Sequence, residues 1–377
     1  MKSSSSTSPP GGSRRPVRGE GAGRDVTTVD PKRVRRAGDV LETAIEGGEI
    51  PGAVACIGVG AETVWQTALG EAEAAPYRRR PMTLDTVFDV ASLTKVAATL
   101  PVAMVLCQAG VIAVSDRVDR YLPEFAGEGK RDVTVGHLLT HTSGLRSLHG
   151  LWRTLSGREL AAAALATPLT TPPGSESYYG DLNFFVLGEL LTRAVGRPLD
   201  LAARDLVFTP LGMTETGYLP PPELAARAAA TEVAPGTNAP KVGVVHDENT
   251  DAMGGVTGHA GLFTTASDLG RYLGAWVGAG PPLLSAALRQ RALTPSTPPP
   301  KRRGWGWILQ GDGMSPLGDL WPDGSAGHTG FTGTSLAFDP ASGLWAVLLT
   351  NRVHFSRTVD LRPLRARFHN AVAAAVL

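Results

Sequence analysis

The sequence contains little cysteine and no long apolar segment. Its 377 residues include two cysteines, Cys56 in a strand-like run and Cys107 in a helix-like one. Thiols in such settings are usually buried small hydrophobic side chains, so free thiols are expected and a disulfide is the less favoured alternative. No stretch of about 18 apolar residues occurs without charge, so we predict no membrane-spanning helix.

Metal-ligand patterns and an excess of charge of one sign are missing as well. His246, His259 and His328 lie far apart and have no Cys or His neighbours at helical offsets, so we expect neither a metal site nor a cofactor. The 36 basic and 35 acidic residues leave a formal net charge of +1. This charge gives no global field that would attract nucleic acid or anionic lipid. We therefore expect a small-molecule substrate as the partner, and the oligomeric state stays open.

The first 30 residues contain few apolar side chains. They are mainly Ser, Pro, Gly and Arg, which cannot bury enough surface to offset the entropy of ordering, so we expect a flexible tail over residues 1–30. Arg14 and Arg15 resemble the start of a twin-arginine export signal, but no apolar segment follows them. The sequence as written therefore predicts a cytoplasmic protein, with export from an upstream signal as the alternative.

The order of helix-like and strand-like segments predicts an α+β fold. Residues 32–46 have the apolar spacing of an amphipathic helix, and the strand-like segments "GAVACIGVG" and "TVWQTALG" follow it. Strand-like segments return near the end as "GWGWILQG", "TSLAFDP" and "LWAVLLTNR", before a closing helix over residues 361–377. Strands at both ends around a mostly helical middle indicate one sheet built from the two termini, with a helical insertion between them.

Ser92 and Lys95 form the first candidate catalytic pair. In "FDVASLTKVAATLPVAMVLCQAG", Ser92 stands at the predicted start of a helix and Lys95 three residues later, so both side chains lie on one helix face. An apolar setting would lower the pKa of Lys95 and let it take a proton from the hydroxyl. The amide of Ser92 at the helix start would also suit an oxyanion. Serine is equally a common helix cap, so this motif does not decide the function by itself.

Two further segments carry candidate site residues. In "PPGSESYYGDLNFFVLGEL", Tyr179 and Asp181 lie in a loop before a predicted helix, where a packed aromatic ring and a helix cap are the alternative interpretation. In "SAGHTGFTGTSLAFDP", His328, Thr329 and Gly330 precede a predicted strand. A glycine-flanked strand edge lets a substrate lie against backbone NH groups, and a tight turn with an exposed histidine is the alternative.

Other nucleophile patterns are missing or unsuited. No G-x-S-x-G segment occurs, which disfavours an α/β-hydrolase. In "HTSGL", His141 and Ser143 are two residues apart on a predicted turn, which does not position them as a catalytic pair. The segment "HDENTDAMGGVTGHAGLF" is expected to pack near the mouth of the site.

In this order and at these separations, the segments resemble the serine β-lactamase and penicillin-binding-protein superfamily. The matching motifs are Ser-x-x-Lys at residues 92–95, Tyr-Gly-Asp at 179–181 and His-Thr-Gly at 328–330. The resemblance runs from about residue 36 to the C-terminus and is greatest to class C β-lactamases, family VIII carboxylesterases and D-Ala-D-Ala carboxypeptidases. It implies a mainly antiparallel sheet flanked by helices, with an α/β part at residues 31–115 and 265–377 and a mostly helical part at 116–264.

The resemblance also implies a role for each matched residue. Ser92 would attack a carbonyl group to form an acyl-enzyme, with Lys95 accepting its proton. Tyr179 would relay protons to the leaving group or from the hydrolytic water. The amides of Ser92 and Phe331 would form the oxyanion hole. The other residues expected to line the substrate site are Asp181, His328, Thr329 and Gly330.

Two residues depart from the usual pattern of the superfamily. His328 stands where β-lactamases usually have Lys, so a fixed positive charge for a substrate carboxylate is missing unless His328 is protonated. Asp181 replaces the commoner Asn, and a carboxylate that faces Lys95 should raise the pKa of the lysine and make it a poorer resting base. The change at His328 disfavours an efficient β-lactamase.

The sequence therefore predicts a serine hydrolase of esters or amides, with a carboxylesterase ranked first. A D-Ala-D-Ala carboxypeptidase or D-aminopeptidase is the next candidate, and a β-lactamase is the third. A non-catalytic penicillin-binding sensor domain of the same fold is the alternative from a different functional class.

Overall fold

The structure is a computed structural model and describes residues 27–147, 150–233 and 236–377. The α-helices are α1 (Arg35–Glu46), α2 (Leu100–Gln108), α3 (Val135–Leu139), α4 (Gly157–Ala166), α5 (Asp181–Val195), α6 (Leu199–Ala203), α7 (Thr209–Leu211), α8 (Pro222–Ala225), α9 (Glu248–Ala252), α10 (Ala266–Trp276), α11 (Ala286–Ala292) and α12 (Arg362–Ala373). The strands are β1 (Gly52–Val59), β2 (Glu62–Glu73), β3 (Arg80–Pro81), β4 (Phe88–Asp89), β5 (Gly217–Tyr218), β6 (Leu262–Thr264), β7 (Ile308–Leu309), β8 (Ala326–Thr329), β9 (Ser335–Phe338) and β10 (Leu344–Thr350). Of the tail predicted over residues 1–30, residues 1–26 lie outside the described residues, and within 27–30 Val29 forms an isolated antiparallel bridge with Val376.

The larger sheet joins the two ends of the described chain. Its seven strands are hydrogen-bonded in the order β3-β2-β1-β10-β9-β8-β7, and each neighbouring pair is antiparallel. β1 lies beside β10, from Ala53 opposite Thr350 to Val59 opposite Leu344. Strands from both termini therefore form one sheet with the rest of the chain inserted between them, which confirms the predicted α+β fold.

Both faces of β1 are covered, which explains why its sequence is apolar throughout. Successive side chains of a strand point to opposite faces. Ala53, Ala55 and Ile57 pack in one apolar cluster with residues of α1 and α12. Val54 and Cys56 pack in a second cluster, with residues of α2, α5 and α10. Full burial of a side chain such as Ile57 contributes about 1.5–3 kcal/mol to the free energy of folding, so packing against the two helical layers stabilises the sheet.

A second, smaller sheet supports the segment that leads to Ser92. Its three strands lie in the order β4-β6-β5, with Phe88 opposite Thr264 and Asp89 opposite Phe263. Strands of two or three residues show too little alternation to be recognised in a sequence, and the prediction did not include this sheet. It fixes the end of β4, and hence the turn that follows it.

Several local features differ from the sequence expectation. The segment "GWGWILQG" contributes only the two residues of β7. His328 and Thr329 lie at the end of β8, whereas they were expected just before a strand. Cys56 is buried, Cys107 is half-buried, and both are free thiols as expected. Among the described residues, no helix combines the length and apolar character needed to cross a bilayer.

Candidate active site

Ser92 lies on a strained turn between β4 and the helix that carries Lys95. Ala91 has a φ of 46°, in the left-handed region that residues with a Cβ rarely adopt. Asp89 Oδ1 accepts a hydrogen bond of 2.8 Å from the Ala91 amide and stabilises this conformation. The chain then forms a π-helical turn, Lys95–Thr99, before α2, and such turns are frequent at functional sites. This geometry places the half-buried Ser92 hydroxyl beside Lys95.

The ammonium group of Lys95 donates three hydrogen bonds in a buried environment. Nζ lies 2.9 Å from Ser92 Oγ, 2.8 Å from Asp181 Oδ1 and 3.0 Å from the carbonyl oxygen of His259. The side chain of Lys95 is fully buried, and that of Asp181 is 35% exposed. Because an ammonium has three N–H donors and no acceptor, these contacts satisfy the charged form completely. Lys95 is therefore held as a cation at rest.

Charge pairing outweighs the effect of burial on the pKa of Lys95. Burial lowers this pKa, but the Asp181 carboxylate and the Tyr179 side chain favour the charged form, and the net pKa is raised. For Asp181, burial is the largest single influence and raises the pKa, but the charge of Lys95, the neighbouring His259 and the hydrogen bond from Lys95 together lower it more, and the net shift is downward. A lysine with a pKa lowered by its apolar setting was expected from the Ser-x-x-Lys motif alone, and that expectation is corrected here. Asp181 faces Lys95, as its place in the second motif predicts.

Tyr179 reaches the same site from the start of α5. Asp181 is the first residue of this helix, so Tyr179 lies in the loop just before it, as predicted. The centroid of the Tyr179 ring is 5.3 Å from Lys95 Nζ and 4.8 Å from the centroid of the His141 ring. The ring also lines the same cavity as Ser92. The first two motifs, 86 residues apart between Lys95 and Asp181, therefore meet at one point.

The His-Thr-Gly motif lies at the end of β8 and forms one side of the site. His328 is buried, and its Nδ1 donates a hydrogen bond of 2.9 Å to the carbonyl oxygen of Thr329. Burial, together with the charges of Lys95 and Arg303, lowers the pKa of His328 well below its ordinary value. The imidazole is therefore neutral, and it does not supply the positive charge of a lysine at this position.

Gly330 lets the end of β8 approach the turn before Ser92. A Cβ at this position would lie 2.3 Å from the carbonyl oxygen of Val90 and 2.1 Å from Thr334 Oγ1. The Gly330 amide also donates a hydrogen bond of 2.8 Å to the carbonyl oxygen of Thr334. Glycine is therefore required here by the close approach of two backbone segments.

Two backbone amides at the cavity are candidate oxyanion donors. In the part of the chain that the structure describes, no hydrogen bond uses the amide of Ser92 or of Phe331. Both residues line a cavity of about 370 Å³, together with Tyr179 and Thr329. The ring of Phe331 is 47% exposed and stacks on that of His246, with centroids 5.7 Å apart. Amides without an internal partner beside a nucleophile suit the charge that develops on a carbonyl oxygen.

Arginines form another part of this cavity. Arg352, Arg357 and Arg365 all line it. Arg357 forms ion pairs with Glu232 and Glu248. Arg352 and Arg365 donate hydrogen bonds to backbone carbonyl groups, and neither has a carboxylate at ion-pair distance within the described residues. The Nε atoms of both are buried without a hydrogen-bond partner there. Two positive charges at the cavity therefore lack a counter-ion.

The segment "HDENTDAMGGVTGHAGLF" lies directly behind Lys95, deeper than the expected position near the mouth. The His259 carbonyl oxygen accepts a hydrogen bond from Lys95, and Nε2 of the His259 ring lies 3.2 Å from Asp247 Oδ1. Any residue type offers a backbone carbonyl, so no sequence pattern could have shown this contact.

Two other side chains near Tyr179 were not predicted as site residues. The ring of His141 contacts that of Tyr179 at an interplanar angle of 46°, whereas the hydroxyl of Ser143 donates a hydrogen bond of 2.6 Å to Asn183 Oδ1. His141 and Ser143 are therefore not a catalytic pair, as expected. Arg303 Cζ lies 5.3 Å from the centroid of the Tyr179 ring. One arginine in the basic segment "KRRGWGW" gives no signal that separates it from its neighbours.

Comparison with known families shows which proteins the sequence is similar to. The model of the family described as Beta-lactamase matches residues 38–370. A protein of Escherichia coli (strain K12) named "Putative D-alanyl-D-alanine carboxypeptidase" is 30% identical over 305 residues, which cover 72% of this chain and 70% of that protein.

Solved structures share the fold at lower sequence identity. A penicillin-binding protein homologue from Caulobacter crescentus has a TM-score of 0.74 at 23% identity, over 93% of this chain and 100% of that one. EstCE1, described as a hydrolase with promiscuous acyltransferase activity, has a TM-score of 0.71 at 22% identity, over 91% of this chain and 99% of that one. These similarities confirm the predicted fold, and the family match over residues 38–370 confirms the resemblance seen in the motifs: this chain belongs to the β-lactamase family.

Proposed function

We propose that this protein is a serine hydrolase that forms an acyl-enzyme on Ser92. The observation that carries the proposal is the convergence of the motifs at one cavity. Ser92 Oγ lies 2.9 Å from Lys95 Nζ, Tyr179 lines the same cavity, and the amides of Ser92 and Phe331 have no internal hydrogen-bond partner among the described residues. A nucleophile, a proton-transfer group and oxyanion donors are the parts that acyl transfer requires.

In the proposed mechanism, Tyr179 takes the proton of Ser92. Lys95 holds all its protons in hydrogen bonds at rest, so it offers no lone pair. The base in this mechanism is the tyrosinate form of Tyr179, whose negative charge the Lys95 cation attracts. Ser92 Oγ attacks the carbonyl carbon while its proton passes to the Tyr179 oxygen, and the carbonyl oxygen becomes an oxyanion at the two amides. When the bond to the leaving group breaks, the leaving group receives that proton from Tyr179. Water then repeats the sequence on the acyl-enzyme and releases the acid.

The arginines at the cavity favour a substrate that carries a carboxylate. Among the described residues, no carboxylate lies at ion-pair distance from Arg352 or Arg365, and Asp360, which also lines the cavity, pairs with Arg362 at 2.8 Å. A substrate carboxylate would pair with the positive charge of these guanidinium groups. A D-Ala-D-Ala peptide ends in such a carboxylate, and the E. coli relative is named for that substrate. We therefore rank a D-Ala-D-Ala carboxypeptidase first.

A carboxylesterase, which ranks first on the sequence alone, is the second candidate. The neutral, buried His328 favours it, because this residue supplies no positive charge for a substrate carboxylate. A β-lactamase ranks third, since lysine is the usual residue at the position of His328 in those enzymes.

Hydrolysis assays on purified variants test the proposal. The substrates are a short-chain p-nitrophenyl ester, a D-Ala-D-Ala peptide and a chromogenic cephalosporin. Ser92→Ala should lower kcat/KM by about 10³-fold or more, because the residual rate comes only from binding and the oxyanion donors. Ser175→Ala, at an exposed serine, is the matched control and should leave the rate unchanged. Equal rates for wild type and Ser92→Ala would overturn the proposal, and turnover of the cephalosporin alone would reverse the substrate ranking.

A further inference from the structure

Tyr179 lies beside two buried cations, and only Lys95 belongs to the motifs. Lys95 Nζ and Arg303 Cζ are each 5.3 Å from the centroid of the Tyr179 ring. The rings of His141 and His328 complete these surroundings, with centroids 4.8 and 5.7 Å away. Arg303 comes from the segment just before β7 and has no part in the mechanism above.

The charge of Arg303 is only partly compensated. The residue is 2% exposed, its Nη2 contacts Met314 Sδ at 3.3 Å, and the carboxylate paired with it, that of Asp312, is 3.9 Å away. The Asp312 oxygens already accept the backbone amides of Arg302 and Met314 at 2.8 and 2.9 Å. Nε and Nη1 of Arg303 are buried without a hydrogen-bond partner in the described part of the chain. A buried cation with unpaired donors is costly unless another group offsets its charge.

Arg352 and Arg365 line the same cavity and add positive charge there, whereas the other groups in contact with the tyrosine ring add none. The pKa of His141 and that of His328 are lowered well below their ordinary values by burial and by the neighbouring cations, so both rings are neutral. The charge of Lys95 is matched by Asp181 at 2.8 Å. Arg303 is therefore the cation at this ring whose counter-ion lies beyond hydrogen-bond distance.

We propose that Arg303 is a positioning residue that stabilises the deprotonated hydroxyl of Tyr179 during acyl transfer. The inference rests on the proposed function, in which Tyr179 takes the proton of Ser92 as the Oγ–carbon bond forms and gives it to the leaving group as the second bond breaks. Before it takes this proton, the tyrosine oxygen carries a negative charge on a ring whose centroid is 5.3 Å from both Lys95 Nζ and Arg303 Cζ. Both cations are buried, so their attraction for this charge is weakly screened. Arg303 thereby replaces the positive charge that His328 does not supply.

The pH dependence of kcat separates this role from a purely structural one. We expect kcat to rise with pH as the catalytic base loses its proton, and the positive charge of Arg303 should place the midpoint of this rise lower than in a variant without that charge. Arg303→Gln should move the midpoint up by about one pH unit or more and lower kcat at neutral pH by about 10-fold or more, while kcat at high pH approaches that of wild type. Arg303→Lys keeps the charge and should restore most of the wild-type profile. Arg302→Gln, at the exposed neighbouring arginine, is the matched control and should not move the midpoint.

Each outcome of this experiment decides the inference. An equal fall in kcat at every pH would show a structural role and overturn it, as would an unchanged profile. If Arg303→Gln fails to fold, the Arg303→Lys variant decides, since a midpoint far from that of wild type would contradict a role for the positive charge. Tyr179→Phe tests the proposed function separately: if it is as active as wild type, the function proposed above fails, whatever Arg303 does. In the Tyr179→Phe background, Arg303→Gln should cause no further loss.

Discussion

Asp181 Oδ1 lies 2.8 Å from Lys95 Nζ, and this ion pair joins the π-helical turn after Ser92 to the first residue of α5. The lysine is fully buried, and its third acceptor is the carbonyl oxygen of His259. Through these two contacts, Lys95 connects the π-helical turn, the start of α5 and the segment that contains His259. The charge of Asp181 keeps Lys95 a cation beside Ser92 Oγ.

Asp181→Asn should destabilise the protein by about 1–2 kcal/mol at neutral pH, because it leaves a buried ammonium without its counter-ion, and partial exposure of Asp181 reduces the cost. The pKa of Asp181 is lowered in the folded state, so its contribution is present above the ordinary carboxyl pKa and is lost as the pH falls. The raised pKa of Lys95 gives a contribution that is present below the ordinary lysine pKa and is lost as the pH rises through the folded value. Urea unfolding should therefore show the largest difference between wild type and variant at intermediate pH.

The control for this prediction is Asp119→Asn, which removes a surface ion pair with Arg117. It should change the free energy of unfolding by less than about 1 kcal/mol. If both variants lose equal stability at neutral pH, the buried pair does not have the role assigned to it.

Gly330→Ala should impair both folding and catalysis. The added Cβ would clash with the carbonyl oxygen of Val90, so the backbone must shift and move the Phe331 amide. We expect a loss of about 1–3 kcal/mol in the free energy of unfolding and a fall of about 10-fold or more in kcat. Gly324→Ala has open space around its Cβ and is the matched control. Wild-type kcat in Gly330→Ala would show that this close approach does not position the amide.

Arg365→Gln should reduce the preference for carboxylate-bearing substrates. The measured quantity is the ratio of kcat/KM for an ester that carries a carboxylate to that for a neutral ester of equal length. Loss of a charged hydrogen bond should lower this ratio by about 10-fold, and general damage to the site would lower both values together. Arg362→Gln, at an exposed arginine on the same helix, should leave the ratio near that of wild type. An unchanged ratio in Arg365→Gln would remove the argument for a charged substrate.

Cys56 and Cys107 should react slowly with iodoacetamide in the folded protein. Burial raises the pKa of each thiol to about 11, so at pH 8 the reactive thiolate is about 100-fold scarcer than at an ordinary cysteine. Mass spectrometry should show little alkylation of the native protein and two additions after unfolding. Rapid alkylation of the native protein at either residue would contradict the packing described for β1 or α2.

The architecture was predictable wherever the pattern of apolar residues was long enough. α1 has a clear helical periodicity, whereas β1 and β10 are uninterrupted apolar runs, and burial on both faces explains why β1 does not alternate. The sheet of β4, β5 and β6 was not predictable, because strands this short are fixed by tertiary contacts.

The site residues that belong to short sequence motifs were predictable from the sequence. Ser92, Tyr179 and His328 belong to such motifs, and the structure brings all three motifs to one place. The His259 carbonyl and Arg303 were not predictable, since a carbonyl has no residue signature and Arg303 stands among other basic residues. The Ser-x-x-Lys motif alone pointed to a lowered pKa for Lys95, whereas the carboxylate of Asp181 in the second motif predicted the raised pKa that the structure shows.

The most direct test of the account is mass spectrometry of the protein after incubation with a fluorophosphonate that traps nucleophilic serines. We predict one adduct per chain, located on Ser92 by peptide mapping and missing from the Ser92→Ala variant. A folded wild-type protein without an adduct, or with the adduct on another residue, would contradict the assignment of Ser92 as the nucleophile.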